Sequence, residues 1–130
     1  MHARRRIAAA AALAVLAATL VHDAVASSRV SHPRSLVVLI AAGALAAALL
    51  ALAPRVRSPA VALGAGVAAG GALATLVSGL AFPDGVPNPL VGGGVAFNLA
   101  DVAIAVGDAL LVSGALAHAW TNRARLREPV

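Results

Sequence analysis

Residues 60–82 read AVALGAGVAAGGALATLVSGLAF, and no charged side chain interrupts them. An apolar stretch of this length matches the roughly 20 residues that an α-helix needs to cross the hydrocarbon core of a bilayer. Gly66, Gly70, Ala74 and Ser78 recur at every fourth position, and Gly71, Thr75 and Gly79 form a second row beside them. Small residues at this spacing let helix backbones approach closely, which matters where lipid removes the hydrophobic drive for association. The stretch is therefore expected to be the central helix of a bundle, its glycines packing helices rather than cradling a ligand.

Three further apolar stretches of spanning length lie at about 7–26, 36–53 and 95–120. Hydrophobic residues make up 61% of the chain and charged residues 12%, with a mean hydropathy of +0.92. Soluble domains carry about 25% charged residues, so this chain cannot cover itself with a polar surface. Spanning strands are excluded because no segment alternates polar with apolar, and a spanning backbone must satisfy its own hydrogen bonds. The fold class expected is all-α, an integral membrane four-helix bundle forming one domain over residues 1–130.

The net charge of +5 does not indicate nucleic acid, because the basic residues form no aromatic-interleaved stripe. They sit between the apolar runs. Arg4, Arg5, Arg6, Arg55, Arg57, Arg123, Arg125 and Arg127 fall on one side, against Arg29 and Arg34 on the other. That asymmetry puts both termini in the cytoplasm of a cell whose inner (plasma) membrane the chain crosses several times. Ala24-Val25-Ala26 before Ser27 also resembles a signal-peptide cleavage site. His22-Asp23 interrupts the apolar approach to it, so the first span is expected to stay.

Several chemistries are absent from the pattern. There is no cysteine, hence no disulfide or thiolate, and the chain is not itself a lipoprotein. His2, His22, His32 and His118 are scattered, so no metal site is expected, and no cofactor. Gly92-Gly93-Gly94 lacks the following Lys-Ser/Thr and the preceding strand of a phosphate loop.

Ionisable groups in or beside spans are costly and therefore informative. Asp23 ends the first span, Asp84 reads as a solvated turn residue, and Asp101 opens the last span, where the helix dipole favours an anion. Asp108 follows seven residues later, about 10.5 Å along a helix. The two cannot share a proton as an aspartic dyad does. Asp108 reads instead as an interior polar contact to Ser or Thr of the third span.

Gly70-Gly71-Ala72-Leu73 in the third span and Phe97-Asn98-Leu99-Ala100-Asp101 at the start of the fourth, followed by Ile104 and Gly107, carry a family likeness. With four spans and internal termini, the chain resembles lipoprotein signal peptidase, also called signal peptidase II, mostly over residues 60–116. That family comprises membrane aspartic endopeptidases that remove signal peptides from diacylglyceryl-modified prolipoproteins. The resemblance implies that Asp101 is one catalytic aspartate with Asn98 supporting it, and Asp23 matches an Asp ending the family's first helix.

The chain is a divergent member on this reading. The stretch Gly85-Val86-Pro87-Asn88-Pro89 matches the element bearing the second catalytic Asp, with one residue fewer after the Gly, and puts Asn88 at that position. The family's Asn, Asp and Arg after G-G-A-L are missing from Ala74-Thr75-Leu76-Val77-Ser78-Gly79, its Lys after the first-helix Asp reads Ser27, and the first external segment is cut to about ten residues. An aspartic pair needs one carboxylate to take a proton from water and one acid to protonate the amide. Asn does neither, so the expectation is a signal-peptidase-II-like scaffold with the standard activity lost or strongly weakened. Its partners would be the lipid bilayer and diacylglyceryl-modified prolipoproteins. Two alternatives stand beside it: a non-catalytic membrane protein binding lipidated peptides or partner helices, and an unrelated small transporter-like four-span protein.

Overall fold

A computed structural model describes residues 1–26 and 30–123. Ser27, and Arg29, Arg125 and Arg127 of the charge asymmetry, lie outside the described residues. The chain is mostly helical. Its long helices are α1 (His2–Val25), α2 (Leu36–Leu52, continued by a 3-10 turn at Ala53–Arg55), α3 (Pro59–Ala81) and α4 (Leu99–Thr121). Each of the four is long and apolar enough to cross a membrane.

The helix starts follow local chemistry. Ser58 caps α3 by accepting from Val61 N at 3.3 Å, and Pro59 takes the first helical position, where its missing N–H costs nothing. Ser35 caps α2 in the same way. The first helix begins earlier than hydropathy suggests and includes Arg4–Arg6. Arg4 Nε donates to Pro54 O at 3.0 Å, so a basic side chain satisfies a carbonyl left over near the end of the α2 segment.

The four-helix, mostly helical expectation is met, and two short ladders are added at one end of the helices. Val95–Phe97 forms a strand, β4, paired antiparallel with β3 (Leu90–Gly92), and α4 begins only at Leu99. Gly93 (φ +58) and Gly94 (φ +80) make the two-residue turn between them, the positive-φ pair that a tight hairpin turn requires. A second ladder joins β1 (Ser31–His32) to β2 (Val86–Pro87), with His32 opposite Val86. Both ladders lie at the end of the bundle opposite Arg4 and Pro54, hereafter the loop end.

α3 is the central helix. In its most apolar stretch 67% of residues are buried, against 22%, 17% and 17% for α1, α2 and α4. The glycine rows explain why. On one face Gly66 meets the backbone of Ala8, and a Cβ on Gly70 would lie 2.7 Å from Ala12 O. On another, a Cβ on Gly71 would lie 2.7 Å from Ala100 O and one on Gly64 2.5 Å from Leu111 N, while Gly107 of α4 rests on the backbone of Ala68. α1 thus runs parallel to α3 and α4 antiparallel, each at backbone-contact distance. α2 packs on a third face, Ala46 against Ala69 and Ala72 and Leu39 over Gly79.

Gly107→Val has nowhere to place its side chain, since the obstruction is helix backbone. Overpacking of this kind costs about 1–3 kcal/mol, occasionally more. Gly43→Ala meets only the flexible Leu76 Cδ2 at 3.3 Å and should change stability by less than about 0.5 kcal/mol. Denaturant titration of helicity in detergent micelles should separate the two variants in that order.

Candidate functional site

The loop end gathers most of the polar side chains singled out from sequence, and each is held by a different neighbour. Asn98 is the N-cap of α4: its Oδ1 accepts from Asp101 N at 2.9 Å, and Asp101 Oδ2 accepts from Asn98 N at 3.1 Å. This reciprocal capping box satisfies two donors that a helix start leaves over. The Asn-x-x-Asp spacing was a legible signal for it. Both hydrogen bonds of Asp101 therefore run to Asn98. Its half-buried carboxyl also borders a groove of about 330 Å³ between α2, α3 and α4, whose wall includes Arg34, Val38, Ala42, Thr75 and Ile104. Arg34 and Asp101 border it together without forming an ion pair. Thr75 turns its hydroxyl away, donating to Gly71 O at 3.2 Å.

Asn88 does not occupy the exposed turn that an Asn-Pro pair suggests. The turn lies upstream, closed by Gly85 N donating to Phe82 O at 3.1 Å, with Asp84 exposed on it. Gly85 has φ +91, and a Cβ there would lie 2.5 Å from His32 O, so this loop presses onto the segment before α2. Asn88 follows β2 and is buried. Its backbone N donates to Val30 O at 2.9 Å, and its side-chain Nδ2 lies 2.6 Å from Nδ1 of His32. The amide stitches two connections together. Sequence reading set His32 aside as one of four scattered histidines, and nothing local pointed to its partner 56 positions away.

Asp23 is the most buried carboxylate among the described residues. Its Oδ2 accepts from Ser78 Oγ at 2.6 Å, and His22 Nδ1 lies 3.9 Å from Oδ1. Ser78 continues the Gly66–Gly70–Ala74 row, so the face of α3 that packs on α1 ends in a hydroxyl aimed at α1's only carboxylate. Asp23 Oδ1, Thr19 Oγ1 one turn below it and Asn98 Nδ2 have no hydrogen-bond partner among the described residues.

Asp108 departs from expectation. It is exposed and makes no contact with Ser or Thr of α3: Thr75 is committed to its own helix and Ser78 to Asp23. The stripe of α4 buried on α3 is Ala100, Ala103, Gly107 and Gly114, and Asp108 stands one position off it. It falls instead on the stripe of Asp101, Ile104, Leu111 and Ala115, spaced three and four residues apart. Ile104 borders the upper groove, while Leu111 and Ala115 border a second one of about 310 Å³ nearer the Arg-rich end. Both grooves lie between α2 and α4, and Asp108 is exposed on the stripe between them without lining either. No cluster of metal-ligating side chains occurs among the described residues.

The fold and this site define a class: a four-helix protein with apolar helices of spanning length and a polar cap of short ladders at one end. Comparison with protein-family models, curated proteins and solved structures returns no match for this chain.

Ser78→Ala leaves the buried Asp23 carboxylate without its hydroxyl donor and should cost about 1–3 kcal/mol. Asn98→Ala removes a helix cap and should cost about 1 kcal/mol. A double-mutant cycle of Asp23→Ala with Ser78→Ala should show coupling of about 0.5–3 kcal/mol. Additive losses in the same unfolding assay would mean that the two side chains do not act as a pair.

Proposed function

We propose that this chain is a multi-pass inner-membrane protein with cytoplasmic termini and a divergent relative of signal peptidase II that binds a lipid-modified peptide without cleaving it. The observation that carries the reading is the groove beside Asp101. Its walls are apolar side chains of α2 and α4, suited to an acyl chain, and its rim bears Arg34 and Asp101, suited to the polar part of a lipidated peptide. Support for the topology comes from where the basic residues gather. Arg4 bonds the Pro54 carbonyl, Arg55 and Arg57 flank that same turn, and Arg123 stacks 4.4 Å over the Trp120 ring at the same end of the bundle. A cation on an aromatic ring at a helix end suits a membrane–water interface.

The case against turnover is chemical. Aspartic hydrolysis needs two carboxyls that divide one proton between them. Here the side chain matched to the second is the amide Asn88, engaged with His32. Asp23 is bound to Ser78 in the α1–α3 interface, and Asp84 is exposed on its turn. Asp101 itself is tied into the α4 cap. One carboxylate remains beside the groove, which suffices to orient a ligand.

In membranes from cells lacking their own signal peptidase II, the chain should leave a diacylglyceryl-modified prolipoprotein uncleaved, as should Asn88→Asp. A photoreactive diacylglyceryl peptide should label the wild type, and Ala41→Phe, at an exposed position in the groove wall, should cut labelling by about tenfold. Cleavage that depends on Asp101 would overturn the non-cleaving reading. Labelling insensitive to Ala41→Phe would remove the groove as the site. Reporter fusions at residues 1 and 123 should both read cytoplasmic.

A further inference from the structure

We infer that the lower groove between α2 and α4, with Asp108 above it on the same stripe of α4, is the docking site for a partner's transmembrane helix that carries one basic side chain at mid-depth. The inference rests on the membrane reading above but not on the lipidated peptide. Asp108 is the tenth of the 23 residues of α4, about 13.5 Å along the helix from Leu99. That places it near the middle of a bilayer. It is exposed, and no side chain among the described residues bonds it. A carboxylate in that position is tolerated in spanning helices when it faces a partner or a polar path.

The neighbours of Asp108 say which. On its own stripe Ile104, Leu111 and Ala115 are apolar, and across the lower groove stand Ala48, Leu49 and Leu52 of α2. The lower groove has no polar side chain in its walls, so no polar path continues past Asp108 toward the Arg-rich end. An acyl chain would fill such walls but would give the carboxylate no donor. A helix surface fills the walls and supplies the donor from one side chain. A second copy of this chain fits poorly, because its described arginines lie at helix ends: Arg4–Arg6, Arg34, Arg55, Arg57 and Arg123. The complementary partner therefore brings its own Lys or Arg, placed opposite Asp108.

The full chain reconstituted in phosphatidylcholine–phosphatidylglycerol vesicles tests this with defined probes. It has no cysteine, so Val91→Cys on the exposed hairpin takes a single acceptor dye. The probes are donor-labelled Leu/Ala spanning peptides with either Lys or Leu at the central position. Energy transfer should show the Lys peptide binding about tenfold more tightly than the Leu peptide. Asp108→Leu should erase that preference, Asp108→Asn should reduce it, and Asp84→Asn on the exposed turn should leave it intact, all with unchanged helicity. Equal binding of the two peptides to the wild type would overturn the inference. So would self-association of the chain with the same dependence on Asp108, which would make the occupant a second copy. Protease protection of the vesicles separates the two levels: a chain that fails to insert brings down the membrane reading as well, whereas an inserted chain without peptide preference brings down this inference alone.

Discussion

Backbone-to-backbone approach along α3 is the constraint from which the rest of the architecture follows. At Gly66, Gly70, Gly64 and Gly71 the neighbouring helix comes so near that a single methyl group would strike its main chain. Helices that close gain dispersion contacts along their whole length, and the contact lines fix rotation as well as distance. With α1 locked to one face and α4 to another, α2 takes the remaining face. It packs through an Ala-centred patch, Ala46 on Ala69 and Ala72, and the α2–α4 boundary is left as a cleft.

That division of faces also distributes the polar groups. The row that brings α1 onto α3 ends in Ser78, which receives Asp23. The tight α3–α4 line turns Ala100, Ala103 and Gly107 inward, leaving Asp101 on the rim of the upper groove and Asp108 exposed. Asn88 belongs to neither line. It sits in the cap of short strands, where the β1–β2 ladder and the Gly85 approach to His32 bring two connections together. Asp23, Asp101, Asp108 and Asn88 are thus placed by different contacts, and none of the three carboxylates is bonded to another.

Much of this was legible along the chain. Apolar length identified the four helices, and the four-residue spacing of small side chains identified α3 as their centre. The caps at Ser58 and at Asn98 with Asp101 are local chemistry between residues three apart, so their spacing carries a signal that apolar length alone, which began the last span at about 95, does not use. The short ladders were not legible. Strands of two or three residues have no periodicity to detect, and their pairing depends on which connections meet at one end. His32 with Asn88 and Asp23 with Ser78 are separated by 56 and 55 positions, beyond the reach of any spacing argument.

Hydropathy and glycine spacing were enough to establish the bundle and its middle helix, because both are properties of a helix taken alone. Which way each polar side chain turned was decided only when the helices docked, since rotation about a helix axis is set by its neighbours. Asp108 shows the difference most clearly. Its position in an apolar run marked it as unusual, but the inward contact expected for it does not form. Gly107, one residue before it, has the small side needed to lie on Ala68, and α4 is rotated to make that contact, which leaves the carboxylate exposed.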